Sequence, residues 1–454
     1  MSVDEGVQAP VRSGIDAVED DRNYVFHSWS AQDGQSHPAV AGGEGSWFWD
    51  YAGKRYLDAS AQLVNANLGL QHDRVVAAVQ AQAGRLCTIS PHFANDVRGR
   101  LARRIVELAP PGMQRVFFTN GGTEAVEHAV RMARLHTGRA KIMSAYRSYH
   151  GATAGAITLT GDPRRWPNEP GIPGVVHFFG PHVYRSAFHA RDSAQEGERA
   201  LRHLDEIIRM EGPDTVAAIV LEPVVGTNGV LIPPDGYLAG VRELCDRYGI
   251  VFVADEVMVG FGRLGHWFAV DAWQVAPDLI TFAKGVNSGY VPLGGVVVSR
   301  EICRTFATRP YPGGLTYSGH PLACAAGLAS IDVIDQTGLL ARVRQVGAEV
   351  VGPALTELAD RHPVVGDVRG MGLMWALELV RDRATREPLV AFNATKAESG
   401  PMNELVAALK DVGIWPFTHM NRLHVVPPLT ISDDELAYLL TGLDEALTVV
   451  DRHA

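Results

Sequence analysis

The chain has 454 residues, more than the about 100–200 of a simple domain, so two domains are expected, one of them large. Hydrophobic residues make up 46% and charged residues 20%, an ordinary globular balance. A formal net charge of -10 excludes a general affinity for nucleic acid or anionic membrane, which would need a concentrated basic face; a local basic pocket is still allowed.

In chain order, MSVDEGVQAP is acidic and polar and lacks the basic start and apolar run of a secretory leader. Residues 1–20 read as a mobile tail, and 21–75 as an N-terminal segment that joins the small domain. WFWDYAGKRYL (47–57) alternates around a Gly turn and predicts a hairpin. Residues 73–85 and 97–108 have helical periodicity. Strand and helix signals then alternate: VFFT (116–119), a helix over 123–135, KIMSA (141–145), AAIVLE (217–222), a helix over 236–248, IVFVAD (250–255) and LITFA (279–283). Short apolar runs separated by helices predict a mostly parallel sheet covered on both faces, the α/β large domain of 76–330. A long helical stretch over 324–360, a strand at MWALELV (374–380), another helix and HVVPPL (424–429) predict a smaller α+β domain over 331–454. No apolar run approaches the ~20 residues of a spanning helix. Cys87, Cys245, Cys303 and Cys324 are scattered, with no metal or redox spacing, and read as idle thiols in a reducing, cytoplasmic setting.

Four places carry chemistry. Lys284 follows the strand LITFA directly and precedes Gly285, at the strand end where open sheets bind ligands; a solvated loop lysine is the plain alternative. Asp255 ends the apolar run IVFVAD, and a buried carboxylate there needs a partner: a metal, a helix N-terminus, or the protonated ring nitrogen of pyridoxal phosphate (PLP). Asn120-Gly121-Gly122-Thr123 joins a strand to an amphipathic helix, where free N–H groups can face a phosphate. Tyr149, in Ser148-Tyr149-His150-Gly151, is placed to stack on a planar group, or is simply a core tyrosine. Gly260-Phe261-Gly262-Arg263-Leu264-Gly265 matches the dinucleotide fingerprint but lacks the tight strand–loop–helix setting, so a nicotinamide site is not expected.

Together these stretches resemble the class III PLP-dependent aminotransferases over about residues 20–450. The matching motifs, in shared order, are TNGGTEAVE, SYHGAT, LEPVVG with PPDGY, VADEVMVGFGRLG, FAKGVNSGYVPLGG, GLTYSGHPLACAA, VRGMGLMWALEL and VVPPL. The resemblance implies the fold-type I PLP-dependent transferase fold and a homodimer with shared active sites. It implies that Lys284 holds PLP covalently and moves the proton, that Asp255 pairs with the ring nitrogen, and that Tyr149 and Val257 flank the ring. Gly122 and Thr123 hold the phosphate, and Thr316 reaches the neighbouring subunit's phosphate. Glu222 and His150 accompany the polar edge and the stacking tyrosine. The reaction implied is ping-pong amino transfer from an amine donor to an oxo-acid acceptor, with no metal, nucleic acid or membrane partner.

The departures bear on substrate. The ornithine, acetylornithine and 4-aminobutyrate branches carry Arg where this chain has Ala152. The chain looks more like the ω-amino acid–pyruvate and taurine–pyruvate branches, which VYRSAF (183–188) also resembles. An ω-amine or ω-amino acid donor, taurine-like sulfonates included, and pyruvate as acceptor are therefore expected. Trp29, Val64 and Arg422 are the candidate substrate contacts, with Arg422 offset from the family's carboxylate-binding arginine. A same-fold aminomutase or racemase is the alternative, since the same lysine, aspartate and phosphate loop serve both.

Overall fold

The structure, a computed structural model, describes residues 14–33 and 37–454. Most of the tail expected over 1–20 lies outside the described residues, and from Gly14 to Tyr24 the chain is a helix with no buried residue.

A seven-stranded sheet organises the large domain, in the order Met113–Thr119, Gly294–Ser299, Leu279–Phe282, Val251–Asp255, Val216–Leu221, Lys141–Ala145 and Val175–Phe178. The five strands from Leu279–Phe282 to Val175–Phe178 pair in parallel. Gly294–Ser299 runs antiparallel to both neighbours, so the sheet is mixed, and this strand was not read from the sequence. Its first residues are Gly294 and Gly295, where a Cβ would sit 2.8 Å from the Gly121 backbone and 2.5 Å from the Phe282 ring. Such Gly-rich text carries little strand signal.

The central strands are apolar throughout because both faces are covered. In Val216–Leu221 every residue is buried. Val216, Ile219 and Leu221 pack with Ala200, Leu204 and Val241 on one face, while Ala218 and Val220 pack with Ala125, Ala129 and Ala133 of the helix Gly122–Thr137 on the other. Burying each such branched side chain contributes about 1.5–3 kcal/mol. That burial locks the register, so the last residues of the parallel strands are delivered to one edge of the sheet.

The helical stretch expected over 324–360 is broken. Pro321–Gln336 packs on the large domain, and the chain then turns at Gly338, whose φ of +66 suits glycine. Leu339–Val346 and Gly352–Arg361 follow, separated by a wider turn at Gly347–Val351. There a side chain on Gly347 would strike the Gly372 backbone, so the two segments can only meet through glycine. The domain boundary expected at 330 thus falls inside a helix.

The small domain is an antiparallel sheet of Val365–Met371, Met374–Asp382, Arg422–Val425 and Phe417–His419. Helices Gly400–Asp411 and Asp433–Val450 share its core. The hairpin Trp47–Asp50/Arg55–Asp58 joins this domain through parallel pairing with Ile414–Trp415 and through Trp47 Nε1 donating to Glu435 at 2.8 Å. The dinucleotide-like glycines form a buried turn, with Phe261 N–H donating to Trp267 O and the Arg263 guanidinium to Leu373 O and Asn67 Oδ1. That turn braces the two domains and is not followed by a phosphate-binding helix. No described helix is long and apolar enough to cross a membrane.

Candidate active site

The ends of the strands at Thr119, Ala145, Leu221, Asp255 and Phe282 lie on one edge of the sheet, and the loops that leave them build a cleft of about 220 Å³. Asp255, 3% exposed, sits at its floor. Asp255 Oδ1 accepts from Thr281 Oγ1 at 3.0 Å and from Val257 N–H at 3.2 Å. Its Oδ2 lies 2.7 Å from His150 Nδ1, and the other nitrogen of that ring is 3.1 Å from Ser144 Oγ. Burial works against a charged His150, but the bond and charge of Asp255 outweigh it and raise the imidazole pKa above its usual value. The pair is therefore a buried carboxyl group braced by a buried imidazole.

Lys284 follows the strand Leu279–Phe282 in a left-handed conformation, φ +44, which is strained for a residue with a side chain. Its ε-amine faces the cleft with no hydrogen-bond partner among the described residues. Burial lowers its pKa, with Arg164 adding to the effect and Asp255 and Glu222 opposing it. A lowered pKa moves the amine toward the neutral form that is nucleophilic and can take up a proton.

The helix Gly122–Thr137 begins at the cleft, where the N–H groups of its first turn have no partners within the helix. A Cβ on Gly122 would lie 2.8 Å from Val257, so glycine keeps this cradle open. The Thr123 hydroxyl accepts from the N–H groups of Ala152 and Thr153 at 3.1 Å each, which ties the Tyr149 loop to the helix start. Gly151 must be glycine there: its φ is +137, and a Cβ would strike Thr123. Glu222 accepts from Tyr149 N–H at 2.8 Å and from Gly226 N–H at 2.8 Å, and burial raises its pKa.

The cleft thus brings together Gly122, Thr123, Tyr149, His150, Glu222, Asp255, Val257 and Lys284. Thr316 lies elsewhere, on an exposed loop anchored by Ser318 Oγ donating to Phe118 O. Trp29 is 70% exposed and does not line the cleft. Val64 is buried behind the cleft wall against Met258. Arg422 is 5% exposed at the domain junction, donating through Nη1 to Asn228 O, and burial lowers its pKa to about 10.

Sequence reasoning missed Thr227 and Met258, which line the cleft, and Arg164. The Arg164 guanidinium lies 3.7 Å from the Tyr149 ring centroid and is bound through Nε and Nη2 to Asp162. An acidic residue two positions before an arginine is too common a pattern to mark it.

Bound PLP would require a free amine, a buried carboxylate for its ring nitrogen, flat walls and a phosphate cradle. Lys284, Asp255, Tyr149 with Val257, and the Gly122–Thr123 helix start meet those needs.

Comparison with known proteins agrees. The family model "Aminotransferase class-III" matches residues 29–447. The structure superposes on a taurine:2-oxoglutarate aminotransferase from Bifidobacterium kashiwanohense, solved with PLP and glutamate, with TM-score 0.94 and 43% identity over 97% of this chain and 99% of that one. An (S)-enantioselective omega-transaminase from Thermomicrobium roseum gives TM-score 0.90 and 37% identity over 97% and 99%. A taurine–pyruvate aminotransferase of Bilophila wadsworthia is 33% identical over 95% of this chain and 97% of its own.

Proposed function

The chain belongs to the class III aminotransferase family of PLP enzymes, and from that premise we propose that it moves an amino group from an ω-amine or ω-amino acid, taurine-like sulfonates included, to pyruvate in a ping-pong cycle. The observation that carries this reading is the unbonded Lys284 amine facing the buried Asp255–His150 pair across one cleft.

When bound, PLP supplies an electron sink for the pair released as the substrate C–H bond breaks. The chain's own residues do the rest. Lys284 takes the proton from the substrate carbon and returns one to complete the transfer. Asp255 would keep a proton on the ring nitrogen, and His150 keeps Asp255 aimed. Tyr149 and Val257 hold the plane, and Glu222 fixes the Tyr149 backbone. The N–H groups of Gly122 and Thr123 take the phosphate, and Thr316 completes the phosphate site of the partner in a homodimer. Val64 backs the cleft wall and Arg422 the domain junction, while Trp29 stands clear of this subunit's own cleft.

A second reading of the acceptor, 2-oxoglutarate, is favoured by Arg164. The expectation of pyruvate rested on the absence of an arginine at Ala152, but Arg164 supplies a guanidinium 3.7 Å from the ring centroid of Tyr149, which lines the cleft. The relative of 43% identity is named for 2-oxoglutarate.

The test is a half-reaction. Holoenzyme mixed with taurine or β-alanine and no acceptor should lose its visible cofactor absorbance and release one equivalent of carbonyl product. Pyruvate and 2-oxoglutarate, each added at equal concentration, should then restore the absorbance at different rates. Isomerised amine with no released carbonyl product would overturn the reading in favour of a mutase.

A further inference from the structure

A second cavity, of about 520 Å³, opens between the two domains and shares no lining residue with the catalytic cleft. Tyr184 and residues 231–235 face it from the large domain, and Asp367, Arg369 and Arg386 from the small one. Arginines stitch these walls together. Arg369 donates through Nε to Gly229 O and through Nη2 to Glu378, each at 2.6 Å. Arg185 also donates to Glu378 and, at 2.8 Å, to Arg386 O, while Arg386 donates through Nη1 to Tyr184 O. Glu378 is thereby occupied on both oxygens, yet the Arg147 guanidinium stands near it with no hydrogen bond among the described residues.

Donors are left over around this cavity. The His182 ring is 5% exposed, and neither nitrogen has a hydrogen-bond partner among the described residues; Glu378 Oε2, 3.9 Å from Nε2, is out of reach. Burial, reinforced by Arg147 and Arg369, lowers its pKa to about 2, so the ring is neutral and keeps one N–H to donate. The Tyr184 hydroxyl is likewise buried without a partner, and burial raises its pKa, so it keeps its proton. Arg191 is exposed with no side-chain bond among the described residues, and Arg386 uses only Nη1. Buried donors are ordinarily paired, so several left unpaired around one cavity call for a partner from outside the chain. Of the acids here, Asp367 is tied to Arg369 and Asp235 is exposed. Their like charge disfavours a doubly charged ligand, and Leu231, Ile232, Pro233 and Pro234 add an apolar wall.

We propose that this cavity is a second binding site, for a small aliphatic carboxylate. Arg191, Arg386 and the Tyr184 hydroxyl take the acid group, His182 is a further donor, and the carbon chain lies on the apolar wall. Lys284 does not line the cavity, so the acid bound here is not turned over. Its grip spans both domains, so occupancy fastens them together. The site is independent of which amine or oxo acid the catalytic cleft accepts.

The probe is 4-methylpentanoate, which has neither an amine nor a keto group to react. Calorimetry on the wild-type holoenzyme should show millimolar or tighter binding, and the acid should raise the melting temperature. Arg386→Gln and Arg191→Gln should each weaken binding about 10-fold, the worth of a charge-assisted contact. Tyr184→Phe should weaken it about threefold to tenfold. Without the acid, Tyr184→Phe should melt no lower than wild type, because the hydroxyl it removes bonds nothing in the chain. Acetate and inorganic phosphate should bind more weakly than the probe. Unchanged affinity in Arg386→Gln and Tyr184→Phe would place the acid in the catalytic cleft and overturn the proposal. No binding to wild type would do the same, as would acetate or phosphate matching the probe. A lower melting temperature for Tyr184→Phe would reveal a partner for that hydroxyl within the chain and equally count against the site.

Discussion

His150 Nδ1 and Asp255 Oδ2 lie 2.7 Å apart with both side chains buried, so the carboxylate at the floor of the cleft is fixed from behind by an imidazole that Ser144 holds on its far side. The chemistry at the front of Asp255 depends on this contact, because a buried carboxyl group held on its far oxygen can point only one way.

His150→Phe should therefore lower both cofactor affinity and rate, by about 10- to 100-fold for loss of a buried charged partner. The stability effect has a defined sign. The folded pKa of His150 is raised above the unfolded 6.5, so its contribution is fully present below pH 6.5 and lost as pH rises through the folded value. Melting temperatures of the apoproteins should show the widest gap between wild type and His150→Phe in mild acid and a narrowing gap above pH 6.5. A gap that widens with pH would mean that the imidazole is neutral in the folded chain.

Lys284→Met should lose at least about 100-fold of the turnover, the contribution of a placed acid–base group, while keeping the fold. Its apoprotein should also melt higher than wild type at neutral pH. The folded pKa of Lys284 is depressed below 10.5, so burying the charged amine costs stability at lower pH, and that cost disappears as pH approaches 10.5. Scanning calorimetry across that range checks both the sign and the window.

Asp255→Asn should retain cofactor yet slow the chemical step by about 10- to 100-fold, since an amide cannot keep the ring nitrogen protonated. The neighbours Thr281 and His150 remain to position the amide, so the fold should hold. Single-turnover rates at saturating PLP check this, and near-normal rates would reduce Asp255 to a structural residue.

Thr316, exposed and remote from its own cleft, should act in a partner's site. Mixing inactive Lys284→Ala with an inactive Thr316→Val protein should restore some activity once subunits exchange, through hybrid sites that carry both native residues. Light scattering on the active species should give at least a dimer, and an active monomer would refute the shared site.

The residues at the cleft floor were readable because each ends an apolar strand. IVFVAD and LITFA stop at Asp255 and Ala283-Lys284, and a polar residue directly after a buried run is a local signal. The hairpin at 47–57 and the strands KIMSA and VFFT were legible for the same reason, as periodicity lives within a few residues. Gly294–Ser299 was not, since its glycines answer to Gly121 and Phe282, more than ten residues away in sequence. The widened helical turn at Gly347–Val351 was hidden likewise, since Gly347 answers to the backbone of Gly372.

Sequence alone marked the strand-end lysine, the buried acid, the glycine-rich helix start and the family, because these depend on residue type and on spacing along the chain. Only the tertiary structure decided which charges meet. It placed Arg422 behind Asn228 and out of the cleft, and it laid Arg164 on the Tyr149 ring with Asp162 beneath. These pairings join segments from three loops and both domains, and Coulomb and stacking energies depend on separation in space, which spacing along a chain does not encode.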